Sequence, residues 1–153
     1  MAMKPFRFAI DNPLKTIVFP IIVIVLINLI FKAAGYNVVS QPFTDLQAFI
    51  VLAIILMPIL EELFFRGLIL GTFMMFANKL DNINIKLAII ITGFFLQLFL
   101  FVFIGHASYG NLAMVMSLGI LISILFMINN RNLLPAIIAH VTNNLLILLL
   151  TMF

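Results

Sequence analysis

The sequence predicts an all-α, polytopic bundle of transmembrane helices. Of its 153 residues, 65% are hydrophobic and only 8% are charged, whereas a soluble domain is nearer half apolar and a quarter charged. The apolar residues fall into about five runs separated by short polar links, and a spanning helix needs about 20 mostly apolar residues. Because there is no internal repeat or low-complexity tract, residues 1–153 are predicted to form one integral membrane domain.

The first predicted span covers residues 14–32. Lys4, Arg7 and Lys15 precede its apolar run, IVFPIIVIVLINLIF, and resemble the basic start of a signal peptide. The apolar run, however, is long, ends in Lys32 and lacks a small-x-small cleavage site. A retained transmembrane helix is therefore predicted, followed by the polar, turn-rich link KAAGYNVVSQPFTD.

The second predicted segment, residues 46–78, is too long for a simple span. As one straight helix it would measure about 50 Å, against about 30 Å for the hydrocarbon core. It must therefore tilt, protrude or break. Pro58 offers the break, because it removes the hydrogen bond to the carbonyl of Ile54. We predict a kink near Pro58.

The remaining predicted segments are residues 86–105, 111–128 and 133–153, with a tight turn, NNRN, at 129–132. Five single spans place only Lys32 on one side of the membrane. The other side receives the other basic link residues: Lys4, Arg7, Lys15, Lys79, Lys86 and Arg131. Since Lys and Arg concentrate in cytoplasmic links, we expect a cell-membrane protein with a cytoplasmic N-terminus and an external C-terminus.

Polar side chains within the apolar spans are the candidates for a functional site, because a charge in the membrane core costs a few kcal/mol. They are Glu61, Glu62, Arg66, Gln97, His106, His140, Asn143 and Asn144. Glu62 and Arg66 are four apart and can form an ion pair on one helix face, which could be purely structural or could orient a site. Gln97 is predicted to hydrogen-bond between helices, and Asn143 to face elsewhere.

Glu61 has no partner on its own helix and points about 100° away from Glu62. An unpaired carboxylate in this setting is a candidate general base, or is simply protonated. His140 and Asn144 share one face of the last segment, at a depth similar to that of Glu61. These residues are therefore predicted to meet.

His106 ends the third segment, and its depth conflicts with this picture. Twenty residues separate it from Lys86, which places it near the far surface of the membrane. It can join Glu61 only if the third segment begins outside the membrane, tilts, or bends at Gly105. Taken alone, it could also be an ordinary interfacial histidine at a helix end.

One carboxylate, two imidazoles and an amide suit the activation of water. Glu61 could accept a proton from water, while His106, His140 and Asn144 could hold the water or stabilise an oxyanion. Glu61, His106 and His140 could instead bind a catalytic zinc ion with an open fourth position. The residues leave both alternatives open.

Several other functions lack their sequence signatures. No HExxH, GxSxG, phosphate-binding loop or dinucleotide fingerprint occurs. The absence of cysteine excludes thiol catalysis and thiolate metal sites. The sequence contains no basic patch of the kind that would indicate a nucleic-acid partner.

Three motifs resemble those of the CAAX-protease and bacteriocin-processing family (CPBP, also called Abi), which contains the type II CAAX prenyl endopeptidases. EELFFRG fits its EExxxR motif at Glu61–Arg66, and HVTNN fits its HxxxN motif at His140–Asn144. His106 would end its FxxxH motif, although Val102 stands where the motif has phenylalanine, with Phe101 and Phe103 on either side. The resemblance covers residues 46–150.

The resemblance implies an intramembrane endopeptidase that acts on a peptide or membrane-protein substrate. By position, Glu61 would activate the water, and Glu62 would pair with Arg66 and orient the site. His106 and His140 would coordinate the water, a metal or the oxyanion, assisted by Asn144. Dependence on zinc stays open, because a metal-free glutamate mechanism is also argued for family members. Small relatives are linked to peptide maturation or bacteriocin self-immunity.

Two alternatives to the protease remain. A non-enzymatic immunity or binding protein of the same fold would depend more on loop residues such as Tyr36, Gln41 and Tyr109. An ion-coupled carrier could use the Glu/His cluster, although five spans without a repeat argue against a complete transporter.

Overall fold

The structure is a computed structural model that describes residues 6–35, 50–106 and 112–152. These residues form five helices and no strand. The helices are α1 (Leu14–Ala33), α2 (residues 50–77), α3 (Ile83–Gly105), α4 (Leu112–Ile128) and α5 (Leu133–Met152). The predicted all-α bundle is confirmed.

Three of the helices are long and apolar enough to cross a membrane: Leu14–Ala33, Ile83–Gly105 and Leu133–Leu150. Helix α4 is apolar but has 17 residues, and α2 carries two glutamates and an arginine. Large apolar side chains such as Leu29, Phe95 and Ile104 point outward from the bundle, as expected where lipid replaces water as the solvent. The chain is therefore a membrane protein.

The third segment, predicted from about residue 86, begins about one turn earlier, because α3 begins at Ile83. Asn82 caps this helix: its side-chain oxygen accepts hydrogen bonds from the backbone N–H groups of Asn84 and Ile85, at 2.9 and 3.3 Å. Such a cap satisfies N–H groups that have no partner within the first turn. Lys86 thus lies inside the helix and does not mark its beginning.

Helix α2 changes its hydrogen-bonding pattern repeatedly. Residues Ile50–Leu56 and Leu63–Leu70 are π-helical, whereas Met57–Glu62 and Gly71–Ala77 are α-helical. Pro58 lies at the first change of pattern, as the second residue of the α-helical stretch that follows the π-helical one. The predicted kink at this proline stays a prediction, but π-helical turns inside helices often accompany functional sites.

Helices α2 and α3 form a close antiparallel hairpin. At Gly93, a Cβ atom would lie 2.5 Å from the Cβ of Phe73, so only glycine permits this approach. Eight residues further along both helices, the rings of Phe65 and Phe101 meet at 5.4 Å between centroids. The two contacts fix one register along the hairpin.

The hairpin extends beyond the start of α5. Gly67 of α2 lies beside Leu133, since a Cβ atom at Gly67 would be 3.3 Å from the Cδ1 of Leu133. The part of α2 after Gly67 therefore continues past the first residue of α5, by about 15 Å at 1.5 Å per residue. Whether this part of α2 protrudes from the membrane stays a prediction.

Residues 6–9 lie against the turn between α4 and α5. The N–H of Arg7 donates to the carbonyl of Arg131 at 3.0 Å, and the N–H of Leu133 donates to the carbonyl of Arg7 at 2.9 Å. The Asn132 side chain donates to the Ala9 carbonyl and accepts from the Ala9 N–H. Arg7 and Arg131 therefore share one end of the bundle, as the charge-based topology requires. Which side of a membrane this end faces stays a prediction.

Candidate active site

The buried ion pair of α2 joins Glu62 to Arg66. The Arg66 Nη1 donates to the Glu62 Oε1 at 3.0 Å, and neither side chain is exposed. The spacing of four residues places both groups on one helix face, as predicted. In a low-dielectric interior each charge needs this partner, because an isolated buried charge is costly.

Helix α4 supplies the other partners of the Arg66 guanidinium. Its Nη2 donates to the carbonyl of Gly119 at 3.1 Å, and its Nε lies 3.4 Å from the Ser123 Oγ. Ser123 also accepts a hydrogen bond from the Gln97 Nε2 at 2.7 Å, so the predicted interhelical role of Gln97 is confirmed. The guanidinium lies 4.3 Å from the centroid of the Phe101 ring, within range of a cation–π interaction.

Sequence reasoning missed Gly119 and Ser123. Ser123 was detectable as a polar side chain within an apolar helix, where it is fully buried. Gly119 leaves the space that the neighbouring helix fills, because a Cβ there would lie 2.8 Å from the Cδ1 of Leu98 and 3.0 Å from the Cδ1 of Phe101. That requirement comes from tertiary packing and leaves no mark in the local sequence.

Glu61 on α2, His106 just after the end of α3, and His140 on α5 converge on one point. The Oε2 of Glu61 lies 3.5 Å from the Nε2 of His106 and 3.7 Å from the Nε2 of His140. The two imidazole centroids are 6.3 Å apart. The Glu61 side chain keeps 19% of its surface exposed, whereas that of Glu62 keeps none. Two consecutive glutamates therefore have different surroundings.

Both histidines are oriented by acceptors at their Nδ1 atoms. The Nδ1 of His140 lies 2.8 Å from the Oε1 of Glu62, and the Nδ1 of His106 lies 2.9 Å from the carbonyl oxygen of Phe101. A backbone carbonyl can only accept, and Glu62 is the carboxylate that neutralises Arg66. Each Nδ1 therefore carries the hydrogen, which makes Nε2 the acceptor atom of each neutral ring.

His106 reaches Glu61 because the hairpin register brings it there. Phe73 opposes Gly93, and Phe65 opposes Phe101. Four residues further along each helix, this register brings Glu61 opposite Gly105. The helix ends at Gly105, and His106 adopts a non-helical backbone with φ −131° and ψ 18°. Because the hairpin extends past the start of α5, counting residues from Lys86 does not give the position of His106 relative to His140.

Asn144 lies one turn beyond His140 on α5 and contacts α2. Its Nδ2 donates to the backbone carbonyl of Ala53 at 3.1 Å. Asn143 turns toward α1, where its Oδ1 accepts from the Nδ2 of Asn28 at 3.0 Å. The structure therefore gathers Glu61, Glu62, Arg66, His106 and His140, and places Asn144 one turn away.

The alternative loop residues Tyr36, Gln41 and Tyr109 lie outside the residues that the structure describes.

The donor set fits a metal ion. One carboxylate oxygen of Glu61 and one ring nitrogen each of His106 and His140 lie within 4.8 Å of one another. Two imidazoles and a carboxylate are typical zinc ligands, and histidine ligands usually donate their other ring N–H to a carboxylate or carbonyl. Both histidines have that second contact, through Glu62 and the Phe101 carbonyl.

Comparison with protein families gives one informative match. The model of the type II CAAX prenyl endopeptidase Rce1-like family matches residues 43–146, which is more than half of the chain. Comparisons with curated proteins and with solved structures return no match.

Proposed function

Because the chain belongs to the type II CAAX prenyl endopeptidase Rce1-like family, we propose that it is an intramembrane endopeptidase that uses Glu61 to activate water. The observation that carries this proposal is the convergence of Glu61, His106 and His140. The Oε2 of Glu61 lies 3.5 Å from the Nε2 of His106 and 3.7 Å from that of His140, too far for a good direct hydrogen bond. A water molecule could contact all three side chains.

Each residue has a distinct part in the reaction. The Glu61 carboxylate accepts the proton of the attacking water and later returns it to the leaving amine, so protons balance over the cycle. The water has two hydrogens, so in the metal-free form it donates one to Glu61 and the other to the acceptor Nε2 of His106 or His140, which holds it in line with the peptide carbonyl. Glu62 fixes the ring of His140 through its Nδ1, and Arg66 neutralises Glu62.

The ring orientations also limit what the neutral histidines can do. A neutral ring whose hydrogen is on Nδ1 has no donor at Nε2, so neither ring can stabilise an oxyanion in that state. It can accept from water or bind a cation. A zinc ion held by Glu61, His106 and His140 would supply Lewis-acid polarisation of the carbonyl and a more acidic water. Both the metal-dependent and the metal-free forms use the same three side chains.

The direct experiment uses purified protein in liposomes and two probes. One is a farnesylated peptide ending in cysteine, two aliphatic residues and a variable residue; the other is the same peptide without lipid. We expect mass spectrometry to detect cleavage of at least one of the two peptides by the wild type, at a single internal peptide bond. Glu61→Gln, His106→Ala and His140→Ala should abolish the cut, whereas the exposed-site control Asp81→Asn should retain it.

The same experiment separates the alternatives. Loss of cleavage after treatment with a zinc chelator, with recovery on adding zinc, would select the metal-dependent form. Cleavage by all three site variants at the wild-type rate would contradict the proposal. Absence of cleavage by the wild type, together with biological function that survives in the site variants, would favour a non-enzymatic binding protein of the same fold.

A further inference from the structure

The backbone of α2 has an interrupted hydrogen bond just before the site. Residues Ile50–Leu56 are π-helical, a pattern in which each carbonyl accepts from the N–H five residues later. An α-helix would pair residue 58 with the Ile54 carbonyl, but in this π-helical pattern residue 58 is the donor position for the Ala53 carbonyl, and it is proline, which has no N–H. This carbonyl therefore needs a donor from elsewhere.

The side chain of Asn144 supplies such a donor. Its Nδ2 lies 3.1 Å from the Ala53 oxygen. The Nδ2 of Asn143 lies 3.4 Å from the Asn144 Oδ1, and this contact orients the Asn144 amide with its NH₂ group toward α2. Asn143 is itself held by the buried Asn28 of α1. A chain of amides thus ends on the carbonyl that Pro58 leaves without its donor.

The position of this contact couples the two helices that carry the site. Asn144 lies one turn after His140 on α5, and Pro58 lies three residues before Glu61 on α2. The contact between Asn144 and Ala53 therefore sets the separation of α2 and α5 one turn from His140 and about two turns from Glu61, with Pro58 between Ala53 and Glu61. The Oε2 of Glu61 and the Nε2 of His140 are 3.7 Å apart, so a small shift of either helix would change their alignment.

We propose that Asn144 is a positioning residue, which replaces the missing N–H of Pro58 and so fixes Glu61 against His140. This inference rests on the proposed proteolytic function. It assigns Asn144 an action through the backbone of α2, whereas the sequence resemblance suggested direct assistance to the water or oxyanion.

The test is a double-mutant cycle between Asn144 and Pro58. Asn144→Ala should lower kcat by about 10- to 100-fold, as small misplacements of reacting groups do, with little change in KM. Adding Pro58→Ala restores a backbone N–H at residue 58, so the double variant should regain most of the lost kcat. A double variant no more active than Asn144→Ala would overturn the proposal, because a residue that touches the substrate cannot be replaced by a backbone N–H.

Asn28→Ala is the matched control. This substitution removes another buried amide of the hydrogen-bonded series but leaves Asn144 in place as the donor to the Ala53 carbonyl. Pro58→Ala should therefore not rescue this variant, and equal rescue of both would also overturn the proposal.

A second readout keeps the inference independent of activity. We expect the thermal unfolding midpoint of Asn144→Ala to fall and to recover in the double variant. If the wild type cleaves no peptide, the proposed function fails, and recovery of the midpoint still supports the Asn144–Ala53 contact. Failure of the midpoint to recover overturns that contact whatever the activity.

Discussion

At the scale of single residues, the site depends on two adjacent glutamates with different partners. Glu62 is fully buried and contacts both Arg66 and the Nδ1 of His140. Glu61 is partly exposed and lies near the Nε2 atoms of both histidines. Because successive helix positions differ by about 100°, Glu62 can be buried against Arg66 while Glu61 faces the two Nε2 atoms and stays partly exposed.

The buried ion pair should contribute far more to stability than an exposed pair of the same spacing. Arg66→Met leaves Glu62 buried without its charge partner, so we expect unfolding to become easier by about 3–5 kcal/mol. Arg7 and Asp11 form the matched exposed pair, also four residues apart and 2.6 Å between Nη2 and Oδ2. Arg7→Met should cost at most about 1 kcal/mol. Thermal unfolding in detergent would measure both.

Equal destabilisation by these two variants would contradict the assignment of Glu62 and Arg66 as a buried ionic pair. Adding Glu62→Gln to Arg66→Met should recover part of the loss, because the uncompensated carboxylate is then removed.

The tautomers of the two histidines are a second residue-scale prediction. The Phe101 carbonyl and the Glu62 carboxylate each face an Nδ1 atom. Both rings should therefore carry hydrogen at Nδ1. Nitrogen-15 NMR of protein labelled at histidine distinguishes protonated from unprotonated ring nitrogens. A neutral ring with its hydrogen on Nε2 would contradict the proposed orientation of that histidine.

At the scale of elements, the sequence predicted every described helix but not how far the helices are offset from one another along the bundle axis. Apolar runs and polar links located the five helices, because hydrophobic length is read directly from composition. The offset of the α2–α3 hairpin relative to α5 depends on contacts such as Phe73 with Gly93 and Gly67 with Leu133. Those contacts join residues far apart in the sequence, which explains why the depth of His106 could not be settled from spacing alone.

The hairpin contact at Gly93 should tolerate no larger residue. In Gly93→Ala, the new Cβ would lie 2.5 Å from the Cβ and Cγ of Phe73, so α2 and α3 must separate. We expect a loss of about 1–3 kcal/mol in stability, as in other overpacked cores, measured by thermal unfolding.

Gly105→Ala is the control for this prediction. Its Cβ would meet the Phe65 ring at 3.6 Å, an ordinary van der Waals contact. Its unfolding midpoint should stay close to that of the wild type. A midpoint for Gly93→Ala as high as that of Gly105→Ala would show that the hairpin packs less closely than described.

At the scale of the whole molecule, a few polar residues are organised across an apolar bundle. Motif spacing identified Glu61, Glu62, Arg66, His106 and His140 as a group, and the structure brings these five together. Motif spacing could not identify the partners of the two Nδ1 atoms, the contacts of Arg66 with Ser123 and Gly119, or the hydrogen bond from Asn144 to Ala53. Backbone carbonyls act as partners in three of these contacts, and every residue has one, so no sequence pattern marks them.

Membrane orientation is a whole-molecule prediction that the chain makes easy to test, because it contains no cysteine. Single variants Lys15→Cys and Lys79→Cys should react with a membrane-impermeant maleimide only from the cytoplasmic side. Lys32→Cys should react from outside, following the distribution of basic residues. Labelling of Lys15→Cys and Lys32→Cys from the same side of intact cells would contradict the predicted topology.

The most direct test of the central claim is the rate of peptide hydrolysis by Glu61→Gln relative to wild type in liposomes. Glutamine keeps the shape of the side chain but cannot accept the proton of water. We expect kcat to fall by about 10²- to 10⁴-fold, the usual contribution of a general base, with an unchanged unfolding midpoint. A kcat within twofold of wild type would contradict the assignment of Glu61 as the residue that activates water.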